Sequence, residues 1–172
     1  RDRLCLVQVC FGDDIAHLLQ LSKQPEVKPK NLIKLLKNKS ITKIFHYGRF
    51  DLAMLNKNVG PVVGPIYCTK IASKLSRTFG AKHGLKDLCK DLLDIELDKF
   101  NQTSDWGKKK LSKDQLAYAA QDVLFLHKLK IKLDEILLRE GKMNLALECF
   151  ESLKTRVKLD LEGFQELDIF AH

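Results

Sequence analysis

Thr42-Lys43-Ile44-Phe45-His46-Tyr47-Gly48-Arg49-Phe50-Asp51-Leu52 is the stretch whose reading decides the fold. Residues 42–46 are β-branched and aromatic in the manner of a short strand. From about Arg49 the pattern becomes helical, runs to 58, and closes near Gly60. An extended stretch at 66–69 and a second helix over 71–75 come next. Strand and helix in alternation predict a mixed α/β layer fold. Sheets of that kind gather polar groups at strand ends, and Asp51 lies just beyond one. Taken alone, Asp51 has a plainer account as a helix-start carboxylate favoured by the macrodipole.

Upstream, Leu4-Cys5-Leu6-Val7-Gln8-Val9-Cys10-Phe11 is almost continuously apolar, which predicts a strand buried on both faces. Gly12-Asp13-Asp14 is a turn signal and 15–19 reads as the partner strand, so the chain opens with a hairpin. Residues 22–30, with two prolines, read as a loop. Residues 31–39 read as a helix with Leu32, Ile33, Leu35 and Leu36 on its apolar face. Downstream, Leu85, Leu88, Cys89, Leu92 and Leu93 fall at helical spacing after His83-Gly84. Residues 100–111 form a polar, lysine-bearing loop. One long helix is expected from 113 to about 140. It opens on the capping box Ser112-Lys113-Asp114-Gln115 and is stopped by Gly141. From Asn144 the tail begins helical and turns acidic and apolar towards Asp168-Ile169-Phe170-Ala171-His172.

A chain of 172 residues and 19.7 kDa fits one domain with one core. No apolar run approaches the ~20 residues a membrane-spanning helix needs. The net charge of +8 favours polyanionic partners such as nucleic acid. Five cysteines, Cys5, Cys10, Cys68, Cys89 and Cys149, are an odd number scattered through apolar runs. They give no disulfide framework and no zinc spacing. Buried reduced thiols in a cytoplasmic protein are the expectation.

Asp122 and Tyr118 are one helical turn apart and share a face. Ala119-Ala120 before Asp122 and Val123-Leu124 after it predict burial. A buried carboxylate requires a partner or a metal. The alternative is a surface aspartate. Lys108-Lys109-Lys110 are candidates for phosphate contact or for a solvated face. Trp106 suits a loop anchor better than a base-stacking platform. His83 could bind a terminal phosphate or start a helix.

Together these segments resemble a known family. His46 to Leu52 resembles the second motif of the ribonuclease D-like exonucleases, members of the DEDDy superfamily, with His46 and Phe50 as in that motif. Ser104-Asp105-Trp106, Leu111-Ser112 and Gln115 to Val123 resemble the third motif and the loop before it. Arg1 to Gln8 resembles the segment after the first motif. The resemblance runs from Arg1 to His172. The short nano-RNase C branch is the nearest match, carried by Cys68-Thr69-Lys70-Ile71-Ala72-Ser73-Lys74-Leu75 and by the chain's ending.

The resemblance implies an RNase H-like fold over residues 1–172, without a downstream helical RNA-binding domain. It implies a 3′→5′ exoribonuclease that uses two Mg²⁺ or Mn²⁺ ions. Short RNAs, diribonucleotides above all, are the implied substrates, and a homo-oligomeric ring the implied assembly. It assigns metal binding to Asp51 and Asp122 and orientation of the attacking water to Tyr118. His46, Phe50, His83, Lys108, Lys109 and Lys110 are candidate substrate contacts.

One departure is large. The family's first motif, Asp-x-Glu on a first strand, does not occur before Leu4. Two carboxylates give −2 against +4 for two ions, so the chain as written is expected to be a poor nuclease, with its first strand missing. Tyr47 stands where the family often has Asn. Alternatives are a general RNA or tRNA 3′-end trimmer, a single-strand DNA exonuclease, or, from another class, an inactive nucleic-acid-binding or assembly module.

Overall fold

The structure is a computed structural model that describes residues 3–21, 29–79, 82–97 and 105–171. Strands β1 (Leu6–Cys10) and β2 (Ala16–Gln20) form the expected hairpin. They pair antiparallel with Leu6 opposite Gln20 and Cys10 opposite Ala16. The connection turns through Asp14 at φ 60°, and Asp13 Oδ1 accepts from the Ile15 amide at 3.2 Å. This is the Asx-type closure that makes Asp a turn residue.

Helix α1 (Lys30–Lys37) leads into β3 (Lys43–Phe45), then α2 (Gly48–Asn58), β4 (Ile66–Cys68) and α3 (Thr69–Ser76). Strands β3 and β4 are parallel, with Ile44 opposite Tyr67. Parallel neighbours need a crossover, and α2 supplies it. Helices α4 (Leu85–Leu93), α5 (Lys113–Leu124), α6 (Leu126–Arg139) and α7 (Met143–Leu161) complete the chain.

The core lies between the β3–β4 pair and the helices. Leu129, Leu133 and Leu137 recur every four residues on α6 and are wholly buried, the stripe a core-facing helix requires. Phe150 of α7 meets Tyr67 of β4 with ring centres 4.6 Å apart. Cys68 and Cys89 are buried, whereas Cys5, Cys10 and Cys149 are only half-buried. The thiol expectation therefore holds for the core pair alone.

Two expectations about elements need correction. The segment 113–140 is not one helix. It breaks at Phe125, where φ −102° and ψ −3° leave the helical ladder. No Gly or Pro marks the break, so local sequence did not signal it. Its cause is tertiary: α5 packs on β1 and β2, while α6 packs on β3, α3 and α4. A straight rod could not serve both layers. The capping box at Ser112 and Gln115 forms as read, at 3.0 and 3.1 Å. Gly141 follows α6 at φ 65°.

Nor is β1 buried on both faces: Val7 alone of its residues is buried. Its only strand partner among the described residues is β2. Between its other edge and β3 lies a cavity of about 210 Å³. Val7, Val9, Phe11, Leu36, Ile44 and Phe45 are among the residues that line it. Strand β1 therefore has the composition of a central strand but the pairing of an edge strand.

Candidate active site

The site is built where β3 hands over to α2. Phe45 ends the strand, and Tyr47 takes a left-handed conformation at φ 62° and ψ 40° that redirects the chain. Helix α2 begins at Gly48. A side chain there would have its Cβ 3.0 Å from Phe45 Cβ, so glycine lets the first turn sit close against the strand end. Asp51 follows in that turn.

Next to a helix N-terminus a carboxyl ordinarily loses its proton more easily. Asp51 does the opposite. Burial, then the charge of Asp122, pushes its pKa from 3.8 to about 7. Asp122 comes from α5, far away in sequence, and is itself raised to about 6 by burial. The charge of Asp122 therefore reaches Asp51. Residue 122 as a whole retains exposed surface, although its carboxyl is largely desolvated. This corrects the expected burial of its helix face: in α5 only Gln115 and Ala119 are buried.

Tyr118 joins the pair. Burial and the charge of Asp122 both raise its pKa, so the phenol keeps its proton. Its ring lies 6.1 Å from that of Trp106, at 34°. Trp106 is half-buried and braces Tyr118, closer to the loop-anchor reading than to a free platform.

Hard divalent cations prefer carboxylate oxygens. Two carboxyls driven together with raised pKa values are the arrangement that such a cation relieves. Asp51 and Asp122 thus fit Mg²⁺ or Mn²⁺. Among the described residues, no group of three or more His, Cys, Asp or Glu side chains converges in metal-binding fashion.

The other candidates fall in different places. His46 Nδ1 lies 2.9 Å from Thr69 Oγ1. That hydroxyl donates its one proton to Phe45 O at 3.2 Å, so the imidazole must be the donor. Burial and the charge of Lys70 lower His46 to about 4. It is a neutral tie between the ends of β3 and β4. Phe50 is 57% exposed and lines a separate cavity of about 320 Å³ with Tyr47, Arg49 and Gln165. His83 is held by Ser73 Oγ at 2.8 Å, and burial with Arg77, Lys74 and Lys70 lowers its pKa. Lys108, Lys109 and Lys110 are exposed, and the Lys108 carbonyl accepts from the Gln20 amide.

Sequence reading missed the basic face of α3. Lys70 sits 4.3 Å from the centre of the exposed Tyr47 ring, and its charge reaches both His46 and His83. Its spacing to Lys74 and Arg77, four and then three residues, was available as a signal.

The chain matches a 3′-5′ exonuclease domain over residues 1–138. It belongs to that 3′-5′ exonuclease family. Ribonuclease D of Acidiphilium cryptum is 32% identical over 145 residues, 84% of this chain and 36% of that protein. Ribonuclease D of Gluconacetobacter diazotrophicus is also 32% identical, over 82% of this chain and 35% of its own length. This exonuclease chain thus spans about a third of those relatives.

Among solved structures, Brucella melitensis NrnC is 52% identical with a TM-score of 0.94, covering 99% of this chain and 82% of that one. NrnC has also been solved with bound Mg²⁺ and bound to pGG. Escherichia coli RNase D, described as an exoribonuclease involved in structured RNA processing, is 26% identical with a TM-score of 0.78. It covers 91% of this chain and 42% of that one. Both the RNase H-like exonuclease fold and the resemblance to the nano-RNase C branch are therefore as the sequence implied.

Proposed function

We propose that this chain is the catalytic domain of a 3′→5′ exoribonuclease that depends on two Mg²⁺ or Mn²⁺ ions. Its substrates are short RNAs, diribonucleotides in particular, and its products 5′-mononucleotides. The observation that supports the reading is the charge of Asp122 on α5 reaching the desolvated carboxyl of Asp51 on α2. The likeness to NrnC, which has been solved with pGG, supports the substrate class.

When bound, two such ions activate water and stabilise charge on the leaving 3′ oxygen. The chain's own residues do the rest. Asp51 and Asp122 hold cations, and the charge that Asp122 places on the desolvated Asp51 favours that binding. Tyr118 keeps its phenolic proton and donates it in a hydrogen bond that orients water and the scissile phosphate.

The assembly is a homo-oligomer. From the last residue of α7 onward, Leu161, Phe164, Leu167, Ile169 and Phe170 all remain exposed, a density of apolar groups that suits a subunit contact.

Product analysis on a 5′-phosphorylated dinucleotide, a longer RNA and a DNA of matched sequence tests the function. The full-length gene product with Mg²⁺ should convert the dinucleotide fastest. Faster turnover of the longer RNA would turn the reading to a 3′-end trimmer. No turnover of any substrate would leave a binding module.

A further inference from the structure

We infer that Asp160, near the end of α7, is a positioning residue for the reaction, acting through Arg49 to fix the first turn of α2 and with it Asp51. The inference rests on the exonuclease reading above. Arg49 lies two residues before Asp51 in that turn. Its Nε and Nη2 donate to Asp160 Oδ2 and Oδ1 at 2.6 and 2.8 Å. Such a fork-on-fork pair fixes direction as well as distance. Asp160 is only 3% exposed, so its charge must be met by partners.

A second arginine and the chain beyond α7 complete the clamp. Arg156 Nε approaches Asp160 Oδ1 at 3.3 Å. Arg49 Nη2 and Arg156 Nη2 both donate to the Gln165 carbonyl, at 3.0 and 2.7 Å. The Gln165 amide in turn donates to the Asp160 carbonyl at 3.1 Å. A further hold comes one residue earlier on α2, where the space over Gly48 is closed by Phe45 and by Leu153 of α7. Leu153 and Asp160 are seven residues apart and so lie on one face of α7. The first turn of α2 is thus gripped twice by the same helix face.

Two physical arguments make this a matter of position rather than of stability. Asp160 is buried while the Arg49 side chain is 36% exposed, and such a pair contributes little net stability, because screening on one side and desolvation on the other offset its attraction. Such a pair beside a reactive turn is better explained by the geometry it imposes. Asp51 also needs a restraint: Asp122 repels it, and Tyr47, in the left-handed region just upstream, is strained for a non-glycine residue. Loss of the clamp lets the turn relax and moves Asp51 away from Asp122.

The test uses the full-length gene product and the variants Arg49→Lys, Asp160→Asn and their combination. Lys158→Gln on the exposed side of α7 is the control. Dinucleotide kinetics and Mn²⁺ affinity by titration are measured well below each variant's melting temperature. We expect kcat to fall roughly 10- to 100-fold with KM within about threefold, the loss a misplacement of about 1 Å produces. Mn²⁺ affinity should weaken several-fold. The combined variant should lose no more than the worse single one, because both act through one contact. Arg49→Lys keeps the charge and loses only the fork, so it decides the question if Asp160→Asn does not fold. Variants that match the wild type within twofold in kcat and in Mn²⁺ affinity overturn the inference alone. A wild type that neither turns over nor binds Mn²⁺ removes the exonuclease reading and this inference with it.

Discussion

Asp122, reaching in from α5, adds its charge to the burial that holds Asp51 near pH 7, in a turn whose helix dipole should favour the ionised form. The metal-free site is therefore electrostatically unfavourable at neutral pH. A folded carboxyl raised from 3.8 to about 7 binds protons that the unfolded chain releases. Its destabilising effect is absent below about pH 4 and grows as pH rises to about 7. Asp51→Asn should consequently raise the melting temperature of the metal-free protein at pH 7.5, by roughly 2–6 °C, corresponding to ~1–2 kcal/mol. The gain should vanish near pH 4. An unchanged or lower melting temperature at pH 7.5 would mean that the pocket does not strain this carboxyl. Saturating Mg²⁺ should stabilise the wild type more than the variant.

How far the sequence revealed this site depends on which interactions are local. The strand-to-helix passage around His46 to Asp51 and the Ser112–Gln115 capping box are set within a few residues and were readable. The break at Phe125 was not, because it answers to two packing surfaces assembled from distant parts of the chain. Asp122's exposure stood only as the alternative for a related reason: alanines flanking a residue report helix propensity as much as burial. The Arg49–Asp160 pair spans 111 positions, and no local pattern could announce it. The family motifs, rather than any local pattern, assigned Asp51, Tyr118 and Asp122 to one site. For His46, by contrast, the geometry provides a structural tie to Thr69 and Phe45, whereas the motif had suggested a substrate contact.

Asp122→Asn should reduce hydrolysis more than Tyr118→Phe. Partners one shell away from a metal typically cost about 10–100-fold when lost, so a direct ligand should cost more than about 100-fold. RNA binding should remain within a few-fold, measured by fluorescence anisotropy. Activity within tenfold of wild type would remove Asp122 from the metal site.

Tyr118→Phe removes only a hydroxyl and keeps the ring against Trp106. A water-orienting role predicts a kcat loss of roughly 10–100-fold with the fold and Mn²⁺ affinity intact. If kcat is unchanged while the melting temperature falls, Tyr118 serves packing alone.

His46 gives a pH dependence of its own. Its folded pKa, about 4, lies below the ordinary 6.5, so the unfolded chain takes up protons first as the solution is acidified. The stability it contributes is complete above about pH 6.5 and is lost as pH falls towards 4. Over the same interval protonation of Asp51 and Asp122 acts in the opposite direction, so the contribution of His46 is read as a difference. In urea melts the wild type should lose more stability, or gain less, from pH 6.5 to 4 than His46→Gln does. Parallel profiles would mean that His46 is not the group responsible.

Lys108, Lys109 and Lys110 follow one another on exposed backbone just ahead of α5, the helix that carries Asp122. No ion pair involving any of the three occurs among the described residues. Charges free in that way contribute to RNA binding by releasing counterions, with a slope of about 0.7 per phosphate neutralised on a single strand. Replacing all three by glutamine should reduce the slope of log K against log salt by up to about 2. The effect should be greater on an RNA of ten nucleotides than on a dinucleotide, which offers too few phosphates to meet three lysines at once. If the slope on the longer RNA does not change, the lysines form a solvated face and RNA leaves the site in another direction. A loss of kcat on the dinucleotide as large as the loss of affinity for the longer RNA would instead place the lysines within reach of the scissile phosphate.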